Sequence, residues 1–377
     1  MKIGLITFQD SMNYGAALQT YALWHYITGK GHYCEVIRLL RPPFTEYQES
    51  TVYHPLRKVN KRGKKTLLQK IKYYLKNGKI NEISQTSREN FSEFREQINH
   101  SRYYYGVDDL CQDPPQYDLY VTGSDQVWNP SFGYCLEPYF LSFAPESAVK
   151  ISYAASIGIE SLRDNEKDFF KKYLSSYTAI SVRETTAQKL LQDIIKDKSV
   201  EQVCDPCQLL KKEDWAQIAI LPKNKKKFIL YYEVGSQHNI DLMRHLGRIC
   251  KTNQLDFVYI GRNGYPFIKY KDRGGAGPRE FLGYIQNAEV IISNSFHATL
   301  FSLLFEKNFF VYIPKGNKRG SRMRDLLLTY GLSNHLLPFQ CNWNYDDLKT
   351  EAINYEKVHS LIDEERNRSK NFLDIYL

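Results

Sequence analysis

The segment Gly123–Asn129 follows a short apolar run and carries side chains that could bind a sugar. It places a carboxylate, two amides and an indole within a few residues. The indole of Trp128 could stack on a sugar ring, and Asp125 could accept a proton from a sugar hydroxyl. Ser124 or Asp125 could equally be the N-cap of a helix, and the residues alone favour neither interpretation.

A second polar segment follows the apolar run Val290–Ile292. Ser293, Asn294 and Ser295 are all good N-cap residues, so a helix should begin here and direct its first N–H groups at a ligand. Such a helix start attracts anions. His297 follows, and an imidazole can both bind and protonate a phosphate. A lone histidine is more often a half-buried structural residue, but these neighbours favour an anion site.

Two further loops also directly follow a predicted strand. Arg183 and Glu184 follow the run 179–182, where the arginine could bind phosphate or carboxylate, or form a salt bridge within the protein. The polar loop 9–13 leads into small residues at a helix start, where a ligand could approach the backbone. The loop has no G-x-G-x-x-G motif, so dinucleotide binding has little support.

These loops must be positioned by strands and helices, and short apolar runs alternate with helical patterns along the chain. That alternation predicts parallel α/β units, in which ligands bind beyond the carboxyl ends of the strands. A Lys-rich stretch from Lys211 to Lys227 separates two such series. The first series has strands near Ile3–Phe8, Cys34–Arg38, Tyr117–Thr122, Lys150–Tyr153, Ala179–Val182 and Gln202–Cys204, with a helix at Ala16–Thr28. The second has strands near Phe228–Tyr232, Phe257–Gly261, Val290–Ser293 and Phe309–Ile313, with helices near Asp241–Cys250, Pro278–Asn287, Phe296–Phe305 and Met323–Tyr330.

One segment does not fit this alternation. Arg57–Lys79 contains ten basic residues and no acidic one, and its apolar residues recur at helical spacing. Such a basic amphipathic helix could lie on an anionic membrane. It could also be an insertion that packs on its own domain with a solvated lysine face.

The composition is that of a globular protein of 377 residues, with 42% hydrophobic and 25% charged residues. The length predicts two or three domains, and the net charge of +9 favours anionic ligands. The N-terminus reads as a strand rather than a signal peptide, and the seven cysteines fit reduced thiols, so we expect a cytoplasmic protein. Cys204 and Cys207 form a C-x-x-C pair, which we interpret as two ordinary thiols. No apolar stretch is long enough to predict a transmembrane helix.

Taken together and in order, these motifs resemble the polysaccharide pyruvyl transferase family over roughly residues 1 to 335. The blocks that carry the resemblance are Asn13-Tyr14-Gly15-Ala16-Ala17-Leu18-Gln19, Gly123-Ser124-Asp125-Gln126-Val127-Trp128-Asn129, Ile151-Ser152-Tyr153-Ala154-Ala155-Ser156-Ile157-Gly158, Ser181-Val182-Arg183-Glu184, Asp205-Pro206, Gly277-Pro278-Arg279-Glu280-Phe281-Leu282, Ser293-Asn294-Ser295-Phe296-His297-Ala298-Thr299 and Arg322-Met323-Arg324-Asp325-Leu326-Leu327.

The resemblance implies two facing Rossmann-like domains of GT-B type, with the active site in the cleft between them. It implies phosphoenolpyruvate as donor and a glycan or lipid-linked saccharide as acceptor, joined as a pyruvate ketal without metal or cofactor. Asp125 and His297 would be catalytic. The donor would be bound by Arg183, Asn294, Ser295 and Arg322, and the acceptor by Asn13, Gln126 and Trp128.

We expect an N-terminal Rossmann-like domain over 1–210 on the acceptor side, with a basic helical insertion at about 45–110. A C-terminal Rossmann-like domain over 226–350 would hold the donor, and a final helix would cover 351–377. Arg57–Lys79 could add a peripheral contact with the inner membrane face.

The sequence departs from the family at Ser295, where well-studied members carry an arginine, and at Ala298, where glycine is usual. A nucleotide-sugar glycosyltransferase of GT-B architecture is therefore the first alternative. The second is a non-catalytic protein that binds anions or nucleic acid. The basic segment has only Tyr73 and Tyr74 as stacking residues, so we expect no specific nucleic-acid partner.

Overall fold

The computed structural model describes residues 1–40, 84–131, 137–223, 226–235, 239–261, 265, 268–313, 321–338, 341–349 and 352–377. The chain divides into two compact units. The first takes its described residues from 1–60, 95–210 and 362–377, and the second from 61–94 and 211–361. The basic segment Arg57–Lys79 lies outside the described residues.

The first unit is built on parallel strands that alternate with helices. Five strands pair in the order β3-β2-β1-β4-β5, and β6 and β7 form a further pair. Parallel bridges from Ile151 to Ala179 and from Ala155 to Val182 connect that pair to the end of the sheet. The strands are β1 (Lys2–Ile6), β2 (Tyr33–Leu39), β3 (His100–Tyr104), β4 (Leu119–Thr122), β5 (Val149–Ser152), β6 (Ile180–Val182) and β7 (Val200–Gln202), and the helices are α1 (Tyr14–Gly29), α3 (Val107–Gln112), α4 (Asp164–Leu174) and α5 (Thr185–Ile194). Helix α2 (Gln85–Glu96) lies between β2 and β3 in the chain, but its residues up to Phe94 belong to the second unit.

The second unit repeats the same topology. Its strands pair in the order β10-β9-β8-β11-β12, again with all neighbours parallel. The elements are α6 (Lys212–Ile218), β8 (Phe228–Tyr232), α7 (Ile240–Thr252), β9 (Asp256–Ile260), β10 (Lys271–Asp272), α8 (Pro278–Asn287), β11 (Val290–Ser293), α9 (Phe296–Leu304), β12 (Phe309–Val311) and α10 (Ser321–Thr329). The last helix of the chain, α11 (Tyr355–Asp374), begins in this unit and belongs to the first unit from Ile362.

This strand order explains the apolar runs in the sequence. A parallel sheet covered by helices on both faces is buried on both faces, so its strands are continuously apolar rather than alternating. All five residues of β8 and all four of β11 are buried. In each sheet the order reverses between the first and fourth strands, and ligands of doubly wound folds bind beyond the carboxyl ends at that switch point.

The structure confirms the predicted class of an α/β protein with two Rossmann-like domains. The edge strands β3 and β10 were not predicted, because the polar residues of His100–Tyr104 and Lys271–Asp272 lack an apolar run. Among the helices, α8 has its predicted bounds.

Two segments differ from the predicted domain plan. The insertion was assigned to the first domain, but residues 84–94 belong to the second unit, where Ser87 Oγ donates to Ala276 O at 3.2 Å. The end of α11, from Ile362, belongs to the first unit, where the Cys204 N–H donates to Ser369 Oγ at 2.8 Å. In the part of the chain that the structure describes, no helix has the length and apolar character needed to cross a membrane.

Candidate active-site residues at the strand ends

In the first unit, hydrogen bonds join the loops that leave β1 and β4 at the switch point. Thr7 Oγ1 donates to Ser124 O at 2.9 Å, and the amide of Gln19 donates to Thr7 Oγ1 at 3.0 Å. All three residues are buried. These bonds fix the backbone just before Asp125, so the loop that carries this carboxylate is held in one conformation.

Asp125 has a left-handed backbone conformation, with φ 72°. Aspartate tolerates this region better than most residues, but such a conformation still costs free energy and is common at functional sites. Asp125 Oδ1 accepts from the N–H of Gln126 at 2.8 Å, and the residue forms a parallel bridge with Ala155. Its side chain is half-buried, so a ligand can reach the carboxylate.

Gln126 lies beside Asp125 and forms part of a tight polar contact. Its Oε1 accepts from Asn129 Nδ2 at 2.7 Å. Gly158 packs against this pair with φ 65°, and a Cβ at this position would lie 2.3 Å from Gln126 Oε1. Only glycine satisfies both the backbone conformation and the close contact, which accounts for the end of the Ile151–Gly158 motif.

The position of Trp128 contradicts the expectation that its ring binds the acceptor. The residue has no exposed surface, and its Nε1 donates to Tyr139 O at 2.8 Å. The indole stacks on Phe140 and packs edge-on against Phe170 and Tyr177. An indole enclosed on all sides by the core cannot stack on a sugar, so Trp128 anchors the loop rather than contacting the ligand.

Arg183 also differs from its expected role. Its Nε donates to Glu184 Oε1 at 3.1 Å, and its Nη1 donates to Asp205 Oδ2 at 2.7 Å. Burial lowers the pKa of this guanidinium, but the carboxylates of Glu184, Asp205 and Asp125 raise it further, so the net direction is upward. Carboxylates of the protein bind its Nε and Nη1, and its side chain is only 3% exposed, so Arg183 is a partner of these carboxylates rather than the predicted ligand of a donor anion.

The carboxylates around Arg183 come from neighbouring strand ends of the first unit. Ser156 Oγ donates to Glu184 Oε1 at 2.7 Å, and the N–H of Cys207 donates to Asp205 Oδ1 at 3.0 Å. Asp125 is close enough to contribute to the electrostatic field at Arg183. Ser156 and Asp205 were not predicted to share one network, although both lie in the motifs of the family resemblance.

The other predicted residue of this unit, Asn13, is the N-cap of α1. Its side chain accepts from the N–H of Ala16 at 3.2 Å. The C-x-x-C pair is buried, and burial is the largest cause that raises the pKa of Cys204 to about 12. Cys204 is therefore a protonated thiol, and it fits the interpretation of an ordinary buried cysteine.

In the second unit, Asn294 joins the loops that leave β8 and β11. Its Oδ1 accepts from Val234 N at 2.7 Å, and its Nδ2 donates to Val234 O at 3.0 Å. Ser293 Oγ donates to Tyr232 O at 2.8 Å. Ser293 at the end of β11 and Asn294 after it therefore bind the chain that leaves β8, and the amide of Asn294 links the two loops at this switch point.

Ser295 is the N-cap of α9, as its residue type predicts. Its Oγ accepts from the N–H of Ala298 at 3.3 Å. His297 lies in the first turn of the helix and is buried, with its ring edge-on to Phe296. Arg322 is half-buried in the first turn of α10, the helix that packs against α9. This unit therefore has a capped helix start at its switch point, followed by an imidazole.

A buried carboxylate directly after β8 was not predicted. Glu233 follows β8, and its Oε2 accepts from Tyr265 at 2.6 Å and from Tyr231 at 3.0 Å. Burial is the larger cause, and the charge of Glu233 the next, that raises the pKa of both tyrosine hydroxyls. Both hydroxyls therefore remain protonated donors. Glu233 could have been found because it directly follows an apolar run, but no local pattern links Tyr265 to it.

Two Rossmann-like units, each with polar residues at its switch point, place the chain in the class of two-domain α/β proteins. The sequence profile of the polysaccharide pyruvyl transferase family matches residues 13–315. The chain therefore belongs to the polysaccharide pyruvyl transferase family, a family of transferases. A search of curated protein sequences gave no match.

Several solved structures are similar to this chain. The UDP-GlcNAc 2-epimerase of Methanocaldococcus jannaschii has 12% identity and a TM-score of 0.47, and the match covers 96% of this chain and 92% of that one. The Neisseria meningitidis UDP-GlcNAc 2-epimerase bound to UDP-GlcNAc has 12% identity and a TM-score of 0.48, with 99% of each chain covered. Arabidopsis thaliana UGT89C1 complexed with UDP-L-rhamnose has 11% identity, a TM-score of 0.48 and coverage of 99% and 97%.

Proposed function

We propose that this transferase moves a pyruvyl group from phosphoenolpyruvate to a hexose of a cell-surface glycan precursor and forms a pyruvate ketal. Membership in the family supports the reaction class. The observation that carries the assignment of roles is that both switch points have chemically suitable residues. The first has a half-buried carboxylate, and the second has a capped helix start with an imidazole in its first turn.

In the first unit, Asp125 is the general base for the acceptor. One hydroxyl of the sugar gives its proton to the carboxylate as its oxygen attacks C2 of the donor. The hydrogen bonds of Thr7 and Gln19 hold the loop rigid, so the base is positioned before the sugar binds. Gln126 follows Asp125 directly and orients the acceptor.

In the second unit, the start of α9 holds the donor phosphate. The N–H groups and dipole of the first turn attract the phosphate, and His297 gives it a proton as the bond between C2 and the bridging oxygen breaks. Arg322 adds positive charge from α10. Ser295 positions this helix start by capping it, and Asn294 does so through its hydrogen bond with Val234.

The reaction balances without a redox step. Two hydroxyl oxygens of the hexose form bonds to C2 of the donor, and the bond from C2 to the phosphate oxygen breaks. Of the two hydroxyl protons, one ends on the former methylene carbon, which becomes a methyl group, and the other ends on the released phosphate. The ketal carboxylate leaves the glycan with a new negative charge.

The test combines donor binding with turnover. Phosphoenolpyruvate is expected to raise the melting temperature of the purified protein, and release of phosphate is expected only when a glycan acceptor is added. UDP-GlcNAc serves as the comparison ligand. Stabilisation by UDP-GlcNAc with none by phosphoenolpyruvate would contradict the donor assignment and favour the glycosyltransferase alternative.

A further inference from the structure

The second unit has a cationic pocket at the end of the sheet opposite the candidate donor site. Asp256 begins β9, Lys271 begins β10, and Lys226 precedes β8, so the pocket lies at the amino ends of the strands. The switch point with Asn294 lies at the carboxyl ends. The pocket therefore serves neither of the roles assigned above.

Helix α7 supplies one wall of this pocket with regularly spaced positive charges. Arg244, Gly247, Arg248 and Lys251 follow the spacing i, i+3, i+4, i+7, which places them on one face of the helix. The pocket has a volume of about 890 Å³. Within the part of the chain that the structure describes, its lining contains one acidic residue, Asp256, and six basic ones: Lys226, Arg244, Arg248, Lys251, Lys269 and Lys271.

Only part of this positive charge is neutralised within the protein. Lys271 pairs with Asp256 at 2.6 Å, and Arg244 lies 3.6 Å from Asp241. Among the described residues, no carboxylate lies within salt-bridge distance of Arg248, Lys251 or Lys269. Several like charges gathered in a concave site attract a ligand that carries more than one negative charge.

The floor of the pocket is apolar, which distinguishes it from a simple charged surface. Phe257 is buried at the base, and Ile268 and Tyr270 are half-buried beside it. Gly247 has no side chain to cover these residues. A Cβ added at Gly247 would lie 3.5 Å from Ile268 Cγ2, which is an ordinary van der Waals contact, so there is space above Ile268. A glycine in a helix interior is less favourable than alanine, and here it opens the pocket.

We propose that this pocket binds an anionic oligosaccharide, namely a segment of the glycan that bears carboxylate or phosphate groups. Arginine forks match such groups, and the apolar face of a sugar ring packs against tyrosine and aliphatic side chains. The biological identity of the ligand rests on the proposed function, whose acceptor and product are glycans. A concave site favours a flexible chain over a flat membrane surface.

Binding at this pocket holds a remote part of the polymer on the enzyme. A second attachment point raises the effective concentration of the reactive sugar, as in any bivalent complex. Pyruvylation adds carboxylates to the glycan, so a partly modified chain binds this pocket more tightly than an unmodified one. The enzyme would then modify successive repeats of one chain before release.

The test measures binding of tetragalacturonate, a carboxylated oligosaccharide, to the full chain by calorimetry in the absence of phosphoenolpyruvate. We expect saturable binding that weakens with salt, and at least tenfold weaker binding to Arg248→Ala/Lys251→Ala. The matched control is Arg324→Ala/Lys357→Ala, which removes an arginine and a lysine from exposed helix positions of the same unit outside the pocket. Its affinity should stay within twofold of the wild type.

Gly247→Leu provides a test of shape that leaves the charge unchanged. The leucine would occupy the space above Ile268, so we expect at least a tenfold loss of tetragalacturonate affinity while circular dichroism shows a folded protein. Equal affinity for the wild type, Gly247→Leu and the double variant would overturn the proposal. Tighter binding of inorganic pyrophosphate or of phosphatidylglycerol vesicles at equal ionic strength would also overturn it.

These measurements separate this pocket from the proposed reaction. Phosphate release from phosphoenolpyruvate with a short neutral acceptor should be unchanged in Gly247→Leu, since such an acceptor does not need the second attachment point. The binding of tetragalacturonate is measured without phosphoenolpyruvate. If phosphoenolpyruvate proves not to be the donor, the affinities of the wild type and the pocket variants therefore still test the pocket.

Discussion

Arg183 and Asp205 form an ion pair inside the first unit, with Nη1 2.7 Å from Oδ2 and side chains only 3% and 0% exposed. The pair connects the loop after β6 to the short 3-10 turn Pro206–Gln208, which Asp205 also caps. Both charges have lost their hydration, so each depends on the other for compensation. The pair therefore stabilises the strand ends that surround Asp125.

We expect Asp205→Ala to lower the free energy of unfolding by about 3–5 kcal/mol, because it leaves the Arg183 charge buried and less compensated. Urea denaturation followed by circular dichroism measures this loss. Lys167→Ala is the control, since it removes an exposed pair with Asp164 at 2.9 Å, which water screens, and should leave the stability nearly unchanged. Similar losses in the two variants would show that the buried pair has no special role.

We expect Asp125→Asn to slow transfer by about 10²-fold or more while phosphoenolpyruvate still binds, because the amide cannot accept the acceptor proton. Asparagine also tolerates the left-handed backbone at φ 72°, so the loop should keep its conformation. Phosphate release and thermal shift with phosphoenolpyruvate give the two readouts. Asp125→Gly also fits the backbone and should be equally slow, whereas full turnover in either variant would assign Asp125 a purely structural role.

Ser295 allows a test of the phosphate site. Ser295→Arg should tighten phosphoenolpyruvate binding by about 1.5–3 kcal/mol if the new fork reaches the phosphate. Because Ser295 Oγ caps α9, the same change should lower stability by about 1 kcal/mol. Ser295→Ala loses the cap without adding charge and is the matched control. Calorimetry with phosphoenolpyruvate would contradict the prediction if both variants bound it with equal affinity.

Much of the fold could be predicted because burial on both faces of a parallel sheet leaves a continuous apolar run in the sequence. The runs Phe228–Tyr232 and Val290–Ser293 became strands with those bounds. Such runs also locate the loops that follow them, which is why Asp125 and Ser295 could be found at strand ends. Edge strand β3 has exposed polar residues, so it left no such run.

The roles of individual side chains were harder to predict, because they depend on contacts that are distant in sequence. Trp128 has the residue type of a sugar platform, but its neighbours Phe140, Phe170 and Tyr177 enclose it. Arg183 has the fork of an anion site, but Asp205 lies 22 positions further along the chain and occupies it. Residue type restricted the chemistry, and tertiary packing decided which groups remain available to a ligand.

The partly buried carboxyl of Glu137 should make the free energy of unfolding depend on pH. Burial raises the pKa of its carboxyl from 4.5 to about 7, and Oε2 has no hydrogen-bond donor among the described residues. Between these two pH values the folded state holds a proton that the unfolded state has released. Stability should therefore fall as the pH rises from about 4.5 to 7, and change little from this group above that range.

We expect Glu137→Gln to remove this loss, because the amide stays neutral at every pH. The variant should match the wild type near pH 4.5 and be more stable at pH 8 by about 1–2 kcal/mol, a figure reduced because the carboxyl is partly solvent-exposed. Urea unfolding at the two pH values measures the difference. Glu160→Gln, at an exposed position of the same unit, should follow the wild type at both pH values. If Glu137→Gln were no more stable than Glu160→Gln at pH 8, the carboxyl of Glu137 would have to be well solvated in the folded protein.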